Sequence, residues 1–460
     1  MKRKRNYSAV DVEQFELKTI LPLVPVGCIV AIDVAKTKFV AAVATTTGEV
    51  LKLVKFEHPR QTPLFLRQVN ELREAGREPV VVMESTGTYG DAIRYQLHRL
   101  GAPVHMMPPK HTHDFAEVLD GVPSMHDPKA AVVLAKLQAI KPARAWKPVS
   151  EERANLRAWL DQRNPVVRTL GLYHGHLEAM LARHWPEFGT LIDVHHQRSW
   201  FALLKTLPGP EAVSAAREAA TETLHNASRG HFGREHIQKI VDSASRTMGV
   251  PMTSGEKEKL RTLAEQIETL TRRIDVVDST LAELVEADDV LSRLATVVGP
   301  ACTAAIASLI GSPLDFTSAP ALEKAMGLNL KEHSSGNSMG RMSITKRGPP
   351  LVRHMLFLAA LRFVKDDPVA VAWYRARKGY KAGLKLKSIV AVMRKLARAV
   401  WHVARGEAFD AAKLFDTRRL ELTTSTPTRA KILAKPFTSA TQKTAARSTQ
   451  EPCERGAAIA

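Results

Sequence analysis

The 460-residue chain reads as an α/β domain followed by a mostly helical remainder, and three patterns give that reading. Short β-rich apolar runs crowd the first third, a long three-four apolar repeat begins past residue 253, and basic helical stretches follow it. Strands are predicted at 28–34, 39–45 and 51–56, with a Thr47-Gly48 turn between the last two, and a helix at 63–75. A strand at 80–83, a helix at 91–100, a strand at 104–107 and a helix at 128–137 complete the domain.

Three strands followed by alternating helix and strand is the order of a ribonuclease-H-like sheet, in which the first and fourth strands are neighbours. That order gives two acids a meaning. Asp33 lies inside the run Gly-Cys-Ile-Val-Ala-Ile-Asp-Val-Ala at 27–35, where a charge is costly unless it is paired or metal-bound. Glu84 follows the apolar run at 80–83 and opens Glu-Ser-Thr-Gly-Thr-Tyr, the strand end at which open α/β sheets place ligands. Neighbouring strands would let both share Mg²⁺, a hard ion taking oxygen ligands. Asp127 is a third candidate. Each acid has a plainer alternative: Asp33 as a structural acid, Glu84 as a loop cap, and Asp127 as the N-cap of a helix with Pro128 at its first position.

The formal charge of +19 points to an anionic partner, and 45% hydrophobic content is that of a globular chain. Residues 341–405 hold sixteen Lys/Arg against two Asp/Glu, interleaved with Phe357, Phe363, Trp373, Tyr374, Tyr380 and Trp401. That is the footprint of a nucleic-acid surface, with a solvated helix face as its alternative. The apolar runs are too short or too interrupted by charge to suggest a membrane span, and no signal peptide is legible. Cys28, Cys302 and Cys453 are far apart and odd in number, which fits a reducing cytoplasm rather than disulfides. His105, His111, His113 and His126 cluster in sequence without the paired spacing of a zinc site.

Leu260, Leu263, Ile267, Leu270, Ile274, Val277, Leu281 and Leu284 form a heptad seam, with Thr253 and Glu256 as a capping box at its start. Such a seam makes either a coiled coil between chains, the favoured expectation, or one arm of an internal hairpin. Val298-Gly299-Pro300 resembles the turn of a helix–hairpin–helix phosphate contact. Further on, Ser334-Ser335-Gly336-Asn337 reads as a polar loop followed by Arg341, Lys346 and Arg347, and cations around a serine hydroxyl suit attack on a phosphodiester. Ordinary loop chemistry is the alternative.

Taken in order, Ile-Asp-Val-Ala-Lys (32–36), Glu-Ser-Thr-Gly-Thr-Tyr (84–89), His-Asp-Pro-Lys-Ala-Ala (126–131), Val298-Gly299-Pro300 and Ser335-Gly336 through Lys346-Arg347-Gly348 to Arg353 resemble the DEDD transposases of bacterial insertion sequences. The resemblance runs from about residue 27 to residue 406. It implies a RuvC-like domain holding Mg²⁺ on Asp33, Glu84 and Asp127, and a C-terminal domain with Ser335 as nucleophile. It further implies DNA contacts at Arg341, Lys346, Arg347 and Arg353, a bridge RNA as guide, kinship to pilin-gene invertases, and a dimer or tetramer at the bacterial nucleoid. One position departs from the pattern: the family's Asp-x-x-Asp-Ala reads here as Asp127 followed by Ala130, so the fourth acid is absent.

The expected organisation is a basic extension at 1–24, a RuvC-like ribonuclease-H-fold domain at 25–148 and a helical region at 149–290 with the coiled coil near 253–288. A transposase domain at 291–406 and a disordered basic tail at 407–460 follow. The expected function is DNA recombination by phosphodiester transesterification. A junction-resolving nuclease using metal-bound water, or a decayed transposase that only binds nucleic acid, are the alternatives.

Overall fold

The computed structural model describes residues 8–85, 87–121, 126–335, 338–380, 385–418 and 420; at 120, 333–335, 338–341, 378–380 and 385 it describes the backbone alone. The chain divides into two compact units, 1–149 and 150–460.

In the first unit, seven strands form one sheet: β1 (Val10–Asp11), β2 (Ile29–Asp33), β3 (Lys38–Ala44), β4 (Val50–Glu57), β5 (Val80–Glu84), β6 (Val104–Met107) and β7 (Arg144–Ala145), in the order β1-β4-β3-β2-β5-β6-β7. β2, β3 and β4 make an antiparallel meander, and β5 runs parallel to β2, so the first and fourth of the expected strands are neighbours. Gly48 sits in the turn between β3 and β4 at φ +81, and a Cβ there would meet the Lys136 backbone at 2.8 Å, so the approach of sheet to helix requires glycine. One face of the sheet buries Val30, Ile32, Val81 and Met83 under Phe65, Val69 and Leu72 of helix Thr62–Glu74 and Ile93 and Leu97 of helix Asp91–Arg99. The other buries Ile29, Ala31, Val40, Ala42 and Val82 under helix Asp127–Ile140. With both faces covered, the strands need near-continuous apolar sequence, which is what made them legible. The two-residue edge strands β1 and β7 are too short to carry a period, and helix Pro109–Asp120 begins at Pro108-Pro109 with polar residues that read as loop.

The second unit is built on helix Glu151–His184 lying against helix Ser254–Glu286. Thr253 and Glu256 form the expected capping box: the Glu256 N–H donates to Thr253 Oγ1 at 3.3 Å, and the Thr253 N–H donates to Glu256 Oε2 at 2.9 Å. The seam has a different destination from the favoured one. Leu260, Leu263, Ile267, Ile274, Val277 and Leu281 are all buried within this chain, packed with Leu156, Leu160, Leu170, Leu177 and their neighbours. The seam is therefore the internal hairpin, and it offers no apolar stripe to a second copy. Arg163, 1% exposed, donates to both oxygens of Asp278 at 2.5 and 3.1 Å and fixes the register of the two helices.

Four short helices (Trp200–Thr206, Pro210–Ala215, Arg217–Ser228, Arg234–Ser245) cap one end of the pair. Helices Asp289–Val298 and Pro300–Leu309 meet at Gly299, and helix Ala319–Ala325 leads into the hairpin β8 (Leu330–Ser335) and β9 (Ser338–Ile344). Helices Pro350–Asp366, Pro368–Tyr380 and Lys385–Ala404 follow. The expected tail starts too early at 407: a 3-10 turn at Ala411–Leu414 places Phe415 against Trp373, with ring centroids 4.8 Å apart, and Lys395 Nζ donates to the Leu414 carbonyl. Cys453 and the rest of the tail past 420 lie outside the described residues. Among the described residues no helix is long and apolar enough to cross a membrane.

Candidate active site

Asp33 and Glu84 are the last residues of β2 and β5, one step beyond the paired Ile32 and Met83. Side chains alternate along a strand, so Asp33 follows Ile29 and Ala31, and Glu84 follows Val82, onto the face covered by helix Asp127–Ile140. That helix buries Ala131, Leu134 and Ala135 against the same face, which brings its first turn, and Asp127, to the strand ends. Burial, then Asp127, then Glu84 push the Asp33 carboxyl up to about 7, against the opposing pull of the Val34 N–H. Burial also raises Glu84. Three acids placed far apart in sequence thus repel one another at one end of the sheet, and among the described residues no Lys or Arg forms an ion pair with any of them.

The plainer reading of Asp127 fails on geometry. His126, not Asp127, is the N-cap: its Nδ1 accepts from the Lys129 N–H at 3.2 Å, leaving the exposed Asp127 carboxylate without a capping task. Sequence reasoning missed that role because histidine is not among the preferred caps. It also missed Lys129, which is 2% exposed in the helix behind the acids.

The donor set fits a hard cation in chemistry, being all carboxylate oxygen with unbalanced negative charge. In geometry, no three ligating side chains among the described residues converge to hold one ion. Mg²⁺ binds through one or two carboxylates and keeps its remaining positions for water and phosphate oxygens, so paired strand-end acids with Asp127 beside them suit it. Ala130, one helical turn after Asp127, is 6% exposed and contributes no ligand.

The serine segment differs from the loop that was expected. The backbone of Ser335 ends β8, opposite Ser338 of β9, across a register shift between His333 and Ser335; its side chain, with those of Ser334 and Arg341, lies outside the described residues, as do Gly336 and Asn337. The turn after β9 is tightly fixed. Lys346, at φ +56, donates its N–H to the Gly327 carbonyl at 3.0 Å, and Thr345 Oγ1 donates to Asn329 Oδ1 at 2.6 Å. A Cβ on Gly348 would fall 2.4 Å from the Ala325 carbonyl oxygen, so only glycine passes there. Lys346 and Arg347 are exposed. Arg353 instead spends a donor on its own turn, reaching the Gly348 carbonyl at 2.6 Å.

Much of the basic segment is occupied in the same way. Arg394 and Arg398 both donate to Glu323, which is 2% exposed; Arg362 donates to the Val298 carbonyl; and Arg405 lies 3.7 Å over the Trp401 ring. Phe357, Phe363, Trp373, Tyr374 and Trp401 pack on the unit's core rather than standing free for bases. Among the described residues the histidines that cluster in sequence hold no metal site, and His105 Nδ1 pairs with Gln138 Nε2 at 3.0 Å.

Two family models match the chain: a DEDD transposase model of the IS110 type over residues 30–186, and the Transposase IS116/IS110/IS902 family over residues 292–375. The chain belongs to the IS116/IS110/IS902 transposase family. The first match contains Asp33, Glu84 and Asp127; the second contains Ser335, Arg341, Lys346, Arg347 and Arg353. A curated relative, a probable family 20 transposase of Pseudomonas aeruginosa strain PAO1, is 27% identical over 135 residues, 29% of this chain. The match spans about 40% of that relative's length.

Proposed function

We propose that this protein is a DNA transposase that cuts and rejoins DNA through a serine-linked intermediate. The observation that carries the reading is the acid cluster at the carboxyl ends of β2 and β5, with Asp33 pushed up to about 7 by burial and by two like charges. The meander β2-β3-β4 with β5 parallel to β2 supports reading the first unit as the ribonuclease-H-like, RuvC-like domain that the resemblance implies. Asp33, Glu84 and Asp127 would hold Mg²⁺, which when bound supplies electrostatic stabilisation of the phosphate charge.

The residues of the chain carry the remaining steps. Ser335 Oγ attacks a DNA phosphorus, forming a phosphodiester to the protein and releasing a DNA hydroxyl that takes up a proton, while the serine proton passes to solvent or a nearby base. Attack by another DNA hydroxyl then reverses the exchange, rejoining DNA and freeing Ser335. Lys346 and Arg347, exposed on the fixed turn after β9, offer charge to the phosphates, with Arg341 on β9 beside them in sequence; Arg353 acts by holding the turn. A guide RNA and a dimer or tetramer belong to this reading through the family. With the seam buried, a second copy would have to use another surface.

Ala130 favours a second reading, in which the site lacks the acid needed for cutting and the protein only binds nucleic acid. A cleavage assay with DNA carrying the ends of the element, run with Mg²⁺ and resolved on denaturing gels, separates them. A protein–DNA adduct supports the serine transposase, free ends indicate a nuclease using water, and intact DNA indicates binding alone.

A further inference from the structure

In the second unit two imidazoles lie in contact, and among the described residues one nitrogen of each has no hydrogen-bond partner. His174 projects from helix Glu151–His184 and is 5% exposed; His195 sits in the segment after that helix, and their ring centroids are 4.5 Å apart. The Nδ1 atom of each ring is buried and, among the described residues, without a hydrogen-bond partner. Buried polar atoms are nearly always paired, and two orphans of one type on touching rings call for a shared occupant.

The surroundings orient one of the two rings. Nε2 of His195 stands 2.6 Å from Oε1 of Glu178, one helical turn after His174. A carboxylate accepting the second ring N–H of an imidazole fixes the tautomer that leaves the other nitrogen's lone pair free, the arrangement found behind metal-ligating histidines. The segment itself is held: the Asp193 carboxylate accepts from the His195 N–H at 3.0 Å and pairs with His196 Nδ1 at 2.7 Å, and Trp200 Nε1 donates to the Val194 carbonyl at 3.2 Å. His195 is therefore presented to His174 by a fixed backbone.

We propose that Nδ1 of His174 and Nδ1 of His195 bind one divalent transition ion such as Zn²⁺, with Glu178 orienting His195 and water completing the coordination. Two imidazole nitrogens select such an ion over Mg²⁺, which takes oxygen ligands. Among the described residues no three ligating side chains already converge, so the site is a two-histidine clamp with open positions rather than a closed structural zinc site. Its effect is to tie the segment at His195 to the long helix.

The test uses the full-length protein, freed of metal by chelation, titrated with Co²⁺ and Zn²⁺. The Co²⁺ absorption spectrum reports nitrogen ligation, and equilibrium dialysis gives the stoichiometry. The expected result is a nitrogen-ligated Co²⁺ displaced by Zn²⁺, unaffected by Mg²⁺ in excess, and retained in Asp33→Asn. His195→Gln should abolish that signal, and Glu178→Gln, at an exposed carboxylate, should weaken binding roughly 10–100-fold. Circular dichroism verifies that these variants fold, and His195→Gln is preferred to a change at the more buried His174. Absence of a bound ion in the wild type, or an undiminished signal in His195→Gln, overturns the proposal.

Discussion

Replacing Asp33 with Asn separates a metal-binding acid from a structural one, because the two roles move stability in opposite directions. A carboxyl raised from an ordinary 3.8 to about 7 binds its proton more tightly in the folded chain than in the unfolded one. Its contribution to stability is therefore fully present below about pH 4 and is lost as pH rises through 7. At about 1.4 kcal/mol per tenfold change in proton affinity, the whole shift corresponds to roughly 4 kcal/mol, and partial access to water brings that to roughly 2–4 kcal/mol. Without divalent metal at pH 8, Asp33→Asn should stabilise the first unit by about that amount; at pH 4 the two proteins should be nearly equal. Saturating Mg²⁺ offsets most of that difference, since an ion at 100 times its dissociation constant adds about 2.7 kcal/mol to the wild type and little to the variant. Hydrogen exchange of the buried β2 amides, in chelator and in Mg²⁺ at both pH values, reads the first unit alone. DNA cleavage should be lost while binding persists. A variant less stable than the wild type in chelator at pH 8, or one with unchanged dependence on Mg²⁺, would refute the reasoning and return Asp33 to a structural role.

Ser335→Ala should remove the covalent protein–DNA species entirely, because alanine has no oxygen to esterify, whereas Ser334→Ala should reduce it far less on the same denaturing gels. Ala130→Asp should increase adduct yield if the absent fourth acid limits the site; an unchanged yield would mean that three carboxylates suffice. Lys replacing Ile267 and Ile274, which are 0% and 1% exposed, should unfold the helical pair at several kcal/mol per buried charge, so circular dichroism should change along with light-scattering mass. A folded species of reduced mass would instead restore the seam as a contact between chains. Arg394→Gln leaves the buried Glu323 with one cation and should cost roughly 1–3 kcal/mol in denaturation, while Arg347→Gln should leave stability unchanged and lower the salt dependence of DNA binding.

The acid site was legible because its physics is local. A carboxylate inside an apolar run announces itself in a single strand, and the order of strands and helices brought Asp33 beside Glu84 before any coordinates were needed. Asp127 was harder. Asp followed by Pro is the ordinary start of a helix, and only the three-dimensional cap made by His126 shows that the Asp127 carboxylate does not cap it. Gly327 and Gly348 carried a signal too: their close approach to neighbouring backbone closes the turn that presents Lys346 and Arg347, but a glycine in a polar stretch reads as flexibility until its neighbours are known.

Where the sequence misled, the missing information was the identity of a partner. A heptad seam specifies that an apolar stripe will be buried and says nothing about which helix buries it. Leu156, Leu160 and Leu170 answer the seam from far upstream in the sequence, in a helix whose own period is interrupted by Pro165. The basic segment poses the same problem in charge. A count gives sixteen cations, but Glu323 takes two of them and backbone carbonyls at Val298, Gly348 and Leu414 take three more, each in a contact invisible to a linear reading. The electrostatic footprint is thus narrower than composition suggests. Among its described side chains, Lys346 and Arg347 stand exposed on a turn fixed by backbone hydrogen bonds, just after the β8–β9 strand pair, while Arg362, Arg394 and Arg398 on the helices that follow spend donors on the Val298 carbonyl and on Glu323.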